Sequence, residues 1–227
     1  MIGFSQVKGK KEDCAVDTIQ AIKQRRAINF FEPGKPLPDR ALNELLGLAN
    51  LAPSSFDLQP WKIIAVRDPE RKKTLRSCAM NQQKVEEASA VLIIIADPDA
   101  LEENKDRVLE SWQSLGYMKP EARAGYSGMI DSLYGAKDSL TRKIFASKNA
   151  ALYAMTLMIA AKGLGLDTHP MDGFDEACIK KEFNIPENKL VIMLIAVGNL
   201  KQGVTLLPRA FRRETDEFVS HETYSRK

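Results

Sequence analysis

The stretch SLTRKIFASKNAALYAMTLMIAAK, Ser139 to Lys162, decides the fold class. It predicts one long helix, rich in Ala, Leu and Met. Towards its end the apolar residues come round most of the circumference, as in a helix enclosed by other elements. Gly163 and Gly165 follow as its terminators. Two apolar runs, Ala90–Ala96 (AVLIIIA) and Leu190–Val197 (LVIMLIAV), read as strands buried on both faces, and Trp61–Val66 as a further strand. Few strands, many helices and a central helix imply helices packed on both sides of a small sheet, around a single core.

Working outward, Lys72 to Lys84 holds helical turns. Asp39 caps a helix whose Leu42, Leu45, Leu46 and Ala49 fall on one face, before Pro53. Glu32 to Pro38, with three prolines, is a loop. Asp17 reads as the N-cap of a short helix that turns Ile19 and Ile22 inward and runs into Arg25-Arg26; residues 1–16 form a polar arm. From 98 to 136 the texture changes. Charges alternate with Trp112, Tyr117, Tyr126 and Tyr134, and four glycines interrupt them, which suggests an inserted helical lid with mobile joints. After the long helix, Asp167 to Met171 is extended, Asp172-Gly173-Phe174 turns, and Asp175 caps a brief helix. The tail from Pro208 is charged.

Composition sets the limits. In 227 residues, 44% hydrophobic and 28% charged, nothing suggests a disordered, collagen-like or disulfide-dense chain. Lys and Arg number 33 against 30 acids, a net +3, too even for a dedicated nucleic-acid binder but compatible with a local anion site. The longest unbroken apolar run has eight residues, far short of the roughly 20 that span a bilayer, so no membrane partner is expected. Lys8 to Asp13 gives no signal-peptide pattern. Cys14, Cys78 and Cys178, odd in number and outside any CxxC pair, read as free thiols of a cytoplasmic protein. Two histidines, His169 and His221, leave no basis for a metal site.

Chemistry has few candidate carriers. Arg25-Arg26 can hold a phosphate through bidentate hydrogen bonds, or can be cations suited to a helix C-terminus. Pro53-Ser54-Ser55-Phe56-Asp57-Leu58-Gln59-Pro60-Trp61 is either a rigid polar loop fit for the edge of a planar heterocycle or an ordinary helix-to-strand turn. Asp172-Gly173 offers either close backbone approach to a ligand or a plain turn. His169 is a base or a structural histidine; Asn81 and Lys84 together can reach a ligand. The GxGxxG, P-loop, HExxH and GxSxG signatures are absent.

In order, these pieces resemble the FMN-dependent nitroreductase family. Arg25 to Phe31 (RRAINFF) looks like its opening motif, Ala52-Pro53-Ser54-Ser55 through Gln59-Pro60-Trp61 like its polar loop, and Asn149 through Gly165 like its long helix. Pro170-Met171-Asp172-Gly173-Phe174-Asp175 is similar to its Gly-Phe turn, and Val197-Gly198 to its last core strand; the match runs from about Asp17 to Val219. The resemblance implies an α+β three-layer α/β/α sandwich with a small mixed sheet, forming an intertwined homodimer with FMN at the interface. Residues 17–227 would be a single domain whose segment 200–227 reaches the partner.

It implies further that Arg25, Arg26, Ala27 and Asn29 line the flavin, Arg25 on the phosphate with Arg213, or Arg212 on a one-residue slip. Asn81 and Lys84 would address the ring edge. Pro53, Ser54, Ser55, Asp57 and Gln59 would come from the other subunit, and the backbone of Pro170, Met171, Asp172 and Gly173 would lie against the flavin N5. Lid residues Trp112, Tyr117 and Tyr126 would meet substrate. The activity implied is ping-pong hydride transfer from NADH or NADPH to electron-poor acceptors (nitroaromatics, quinones, flavins), with no catalytic side chain. Its rivals are a flavin-dependent dehalogenase or dehydrogenase on the same scaffold, or a flavin carrier. Three departures stand out: Ala27 replaces a serine, Asn29 a basic residue and Asp57 an asparagine of the family pattern.

Overall fold

The computed structural model describes residues 17–225. The expected arm, with its Lys8–Lys11 run and Cys14, lies outside the described residues. In chain order the elements are α1 (Thr18–Gln24), α2 (Asp39–Ala49), β1 (Trp61–Val66), α3 (Pro69–Cys78), α4 (Lys84–Glu87), β2 (Ala90–Ala96), α5 (Ala100–Ser114), α6 (Arg123–Tyr134), α7 (Leu140–Gly163), β3 (Asp167–Met171), α8 (Glu176–Glu182) and β4 (Leu190–Gly198). Asp17 caps α1 through its carboxylate, Ser139 caps α7, and Asp175 caps α8. Asp39 proves to be the first residue of α2, behind Pro38 as N-cap.

The sheet has four strands in the order β1-β2-β4-β3. Every pairing between these strands is antiparallel, with Trp61 opposite Ala96, Ala90 opposite Val197 and Asp167 opposite Gly198. The mixed sheet that the family resemblance implied is therefore corrected to an antiparallel one within the chain. The α3–α4 connection returns beside the strand end it left, since Val66 faces Val91. A run buried on both faces reports two covering layers, not strand direction. The one parallel element among the described residues is the isolated bridge Ala27–Thr168.

Alternation along the strands feeds two cores, one on each face. Leu92, Ile94, Ile195 and Val197 pack with Leu45 of α2, Leu109 of α5, Ile130 of α6 and Phe145 and Leu157 of α7. Val91, Ile93, Leu194 and Ala196 pack with Leu75 of α3, Val85 of α4 and Ile179 of α8. This is the three-layer sandwich. In β4, Ile192 and Met193 are only half-buried, so the strand is not enclosed along its whole length as the sequence suggested.

Two further expectations change. Ile19 and Ile22 are about half exposed, and Ala21 is the buried residue of α1. The short helix thus turns its small residue to its neighbours and its large ones outward. Cys78 and Cys178, 100 residues apart, form a disulfide between α3 and α8. The free-thiol reading fails for both, because only the fold brings two such distant positions together. By length and composition α7 could cross a membrane, but half of its most apolar window is buried in the fold.

Candidate functional site

The polar loop after α2 is held in an uncommon conformation. Phe56, Asp57 and Gln59 have φ of 53°, 52° and 48°, a region that costs a residue with a side chain roughly 1–3 kcal/mol. Hydrogen bonds from three helices compensate. Ser55 N–H donates to Asn149 Oδ1 of α7 (3.0 Å), Ser55 Oγ bonds Tyr134 OH of α6, and Asn104 of α5 donates to the Leu58 carbonyl (2.9 Å). Trp112 Nε1 donates to Asp57 Oδ2 at 3.1 Å, and Gln59 N–H donates to Ser54 Oγ at 3.0 Å. Pro53, Asp57 and Gln59 stay exposed; Ser54 and Ser55 are half-buried.

This geometry changes the reading of the 98–136 segment. Trp112 packs edge-on against Tyr126 (5.8 Å between ring centres) and near Phe56, while Tyr134 is buried against Phe145. Trp112 and Tyr126 therefore brace the loop and core. Tyr117 stays exposed and, with Asp57, Gln59, Arg107 and Trp112, lines a groove of about 440 Å³.

A second group gathers where α1, α4 and β3 meet. Arg25 is half-buried, and its guanidinium has neither a carboxylate nor a hydrogen-bond acceptor among the described residues. Burial, then Arg209, Arg212 and Arg26, push its pKa below the usual value. The positive charges of Arg209, Arg212 and Arg26 thus all bear on Arg25, and no carboxylate is among the causes of its shift. The tail is docked to make this cluster: Arg26 donates to the carbonyls of Leu207 (3.0 Å) and Pro208 (3.4 Å), and Arg209 donates to those of Lys23 (2.7 Å) and Arg25 (3.3 Å). Arg213 does not join it within the chain, for it lies over the Phe218 ring at 5.2 Å. Arg212 is the tail cation that faces Arg25, and Arg209 was missed. Its only signal is its place beside Pro208 in a basic tail.

The remaining predicted residues are knitted to this side. Ala27 and Asn29 are exposed, flanking the buried Ile28, whose N–H donates to the Thr168 carbonyl (3.2 Å). Lys84 Nζ lies 3.1 Å from His169 Nε2, and His169 Nδ1 lies 2.7 Å from the Ile28 carbonyl. Met80 and Asn81 turn at φ of 52° and 54°; Gln82 Nε2 donates to the Gly173 carbonyl (2.9 Å) and the Ala79 carbonyl (3.1 Å). A Cβ on Gly173 would meet Gln82 and Met80 at 3.3 Å, so glycine lets the two turns approach. Asp172 is exposed and Pro170 half-buried, but the Met171 side chain belongs to the core and can offer only backbone. The Pro53–Gln59 loop stands apart. No hydrogen bond among the described residues links it to the arginine and lysine group.

The Nitroreductase family model matches residues 22–199. MhqN of Bacillus subtilis, whose name places it with the NAD(P)H nitroreductases, is 34% identical over 203 residues, covering 88% of this chain and 96% of MhqN. The NADH dehydrogenase of Thermus thermophilus is 32% identical, covering 81% of this chain and 86% of its own length. A nitroreductase-type structure from Exiguobacterium sibiricum, solved in complex with FMN, superposes with a TM-score of 0.81 at 25% identity, covering 92% of this chain and 98% of that one. The chain belongs to the nitroreductase family.

Proposed function

We propose that the chain is an FMN-dependent NAD(P)H oxidoreductase that reduces small electron-poor acceptors such as nitroaromatics, quinones or flavins. The observation that carries this reading is the half-buried Arg25, with no carboxylate partner among the described residues, beside Arg209, which donates to its carbonyl, and Arg26, which holds the tail by the Leu207 carbonyl. Such a donor set fits a phosphate monoester, which offers three acceptor oxygens and up to two negative charges. Lys84, with two N–H donors left after His169, suits the polar edge of a flavin ring. Exposed Asp172 and half-buried Gly173 form a turn pinned by Gln82, which donates to the Gly173 carbonyl. The bound FMN of the Exiguobacterium relative and the names of MhqN and the Thermus protein support the same assignment.

When bound, FMN would supply the hydride-transfer chemistry between nicotinamide and acceptor; the protein supplies position and field. Arg25 and its neighbours anchor the phosphate end. Lys84 would favour negative charge at the ring edge, and the Asp172–Gly173 backbone would lie against the ring. The Asp57 and Gln59 loop would reach the flavin from a second subunit, with the Tyr117 groove beside it open to the incoming molecule. That arrangement explains why the strained loop and the arginine group are separate within one chain.

The purified protein should be yellow and release about one FMN per chain on heating. Arg25→Ala should weaken FMN by roughly tenfold to a hundredfold, the value of a charge-assisted contact of about 1.5–3 kcal/mol, and weaken riboflavin little. Equal weakening of both would remove the phosphate role. FMN-dependent oxidation of NADH or NADPH by menadione would separate an oxidoreductase from a flavin carrier, for which the nicotinamide would not be consumed.

A further inference from the structure

His169 lies in β3, two residues before Met171. Since side chains alternate across a strand, both point to the α3–α4–α8 side of the sheet. Its ring is half-buried, and both nitrogens are engaged. Nδ1 faces the Ile28 carbonyl at 2.7 Å, and a carbonyl can only accept, so Nδ1 carries the proton. In the neutral ring Nε2 is then a lone pair, and it meets the Lys84 ammonium at 3.1 Å. The geometry selects one tautomer and one charge state. A doubly protonated ring would aim a second N–H at a cation.

We propose that His169 is a positioning residue of the cofactor site: its neutral ring holds the Lys84 ammonium beside the Ala27–Asn29 segment, and protonation of the ring releases that cation and weakens flavin binding. The proposal rests on the FMN reading given above. The groups facing the ring are few. Lys84 comes from α4 and the Ile28 carbonyl from the segment after α1; Ala196, opposite it on β4, is apolar. Burial, then Lys84, lower the histidine's pKa below its usual 6.5, and the Ile28 hydrogen bond opposes them, so the neutral ring that the geometry selects is also the form favoured at pH 7. Burial also lowers the pKa of Lys84. A histidine that merely filled space would not tie a candidate flavin ligand to the backbone between two others.

Two measurements test this. The first needs no flavin: the His169 ring protons are followed by NMR from pH 4 to 8, with His221→Gln to assign them. Lys84→Met should raise the apparent pKa of His169, because a positive neighbour is lost; an unchanged titration would overturn the proposal. The second measures riboflavin affinity by fluorescence quenching from pH 8 to 5. Riboflavin is chosen because the FMN phosphate titrates near pH 6 and would mask the histidine. In the wild type, affinity should fall at least about threefold towards pH 5, a fraction of the tenfold that one unit of pKa coupling represents. In His169→Gln, whose amide oxygen still accepts from Lys84 but does not titrate, it should stay flat. The same pH dependence in both proteins would overturn the role of His169 while leaving the FMN reading intact. No binding of riboflavin or FMN at any pH would overturn the FMN reading itself, and the proposal with it.

Discussion

At the scale of single residues, polar groups divide into those that hold the fold and those that are left open. Asp97 and Asp99, after β2, are of the first kind. Asp97 is fully buried and paired with Lys189; Asp99 accepts from Lys189 (2.8 Å) and Asn188 (2.7 Å) and pairs with Lys137 (2.9 Å). Burial alone would raise the Asp99 pKa, but its three partners outweigh burial and hold it far below the ordinary 3.8. A carboxyl depressed in the folded state adds stability above its unfolded pKa and loses it as pH falls towards the folded value. Asp99→Asn should therefore cost about 2 kcal/mol at pH 7, the worth of a charge-assisted hydrogen bond. The gap between the two urea midpoints should narrow steadily below pH 4. A gap constant from pH 7 to 3 would exclude the pairing. Arg25 is of the second kind, half-buried under the influence of like charges, with no carboxylate partner among the described residues.

At the scale of elements, the 98–136 segment is scaffold before it is lid. α5 and α6 supply Asn104, Trp112 and Tyr134 to a loop that otherwise sits in unfavourable backbone angles. Trp112→Phe keeps the ring and removes the donor to Asp57, so it should cost about 1 kcal/mol. Trp112→Ala also removes a half-buried ring and should cost about 2–3 kcal/mol. Thermal melts of the two variants check the order; equal, negligible losses would mean that the ring does not brace the loop. The sequence carried the elements well where periodicity is strong, as in α7, β2 and the Leu42–Leu45–Ala49 face of α2. It could not carry what depends on distant partners. Trp112 and Tyr126 look like lid aromatics until Asp57 and Phe56 are placed beside them. His169 looks solitary until Lys84 arrives 85 positions away in the chain. Arg209 joins Arg212 beside Arg25 because the tail docks onto the end of α1, which no local pattern records.

At the scale of the whole molecule, the outer surface is more apolar than a single chain needs. On α7, Leu140, Ile144, Leu152 and Met155 recur at helical spacing along one side and are all substantially exposed. Ile19 and Ile22 of the neighbouring α1 and Leu207 and Phe211 of the tail extend the same character, Phe211 at 78% exposure. Scattered apolar residues are normal on a surface, but so many on α7 and on the α1 that packs against it point to an interface. A second copy of the chain is the partner that the family resemblance implies. It would also bring the Pro53–Gln59 loop of one chain to the arginine and Lys84 group of the other. We therefore expect a dimer at micromolar concentration, with an interface above roughly 2,000 Å² as in obligate homodimers. Ile144→Asp with Leu152→Asp should dissociate it, since each charge would be buried twice across a symmetric contact. Flavin should be lost in parallel, because each site would need both chains. Sedimentation and flavin absorbance on the same sample provide the check: a wild-type monomer that retains flavin, or a dissociated variant that binds it as tightly, would show that one chain completes the site alone.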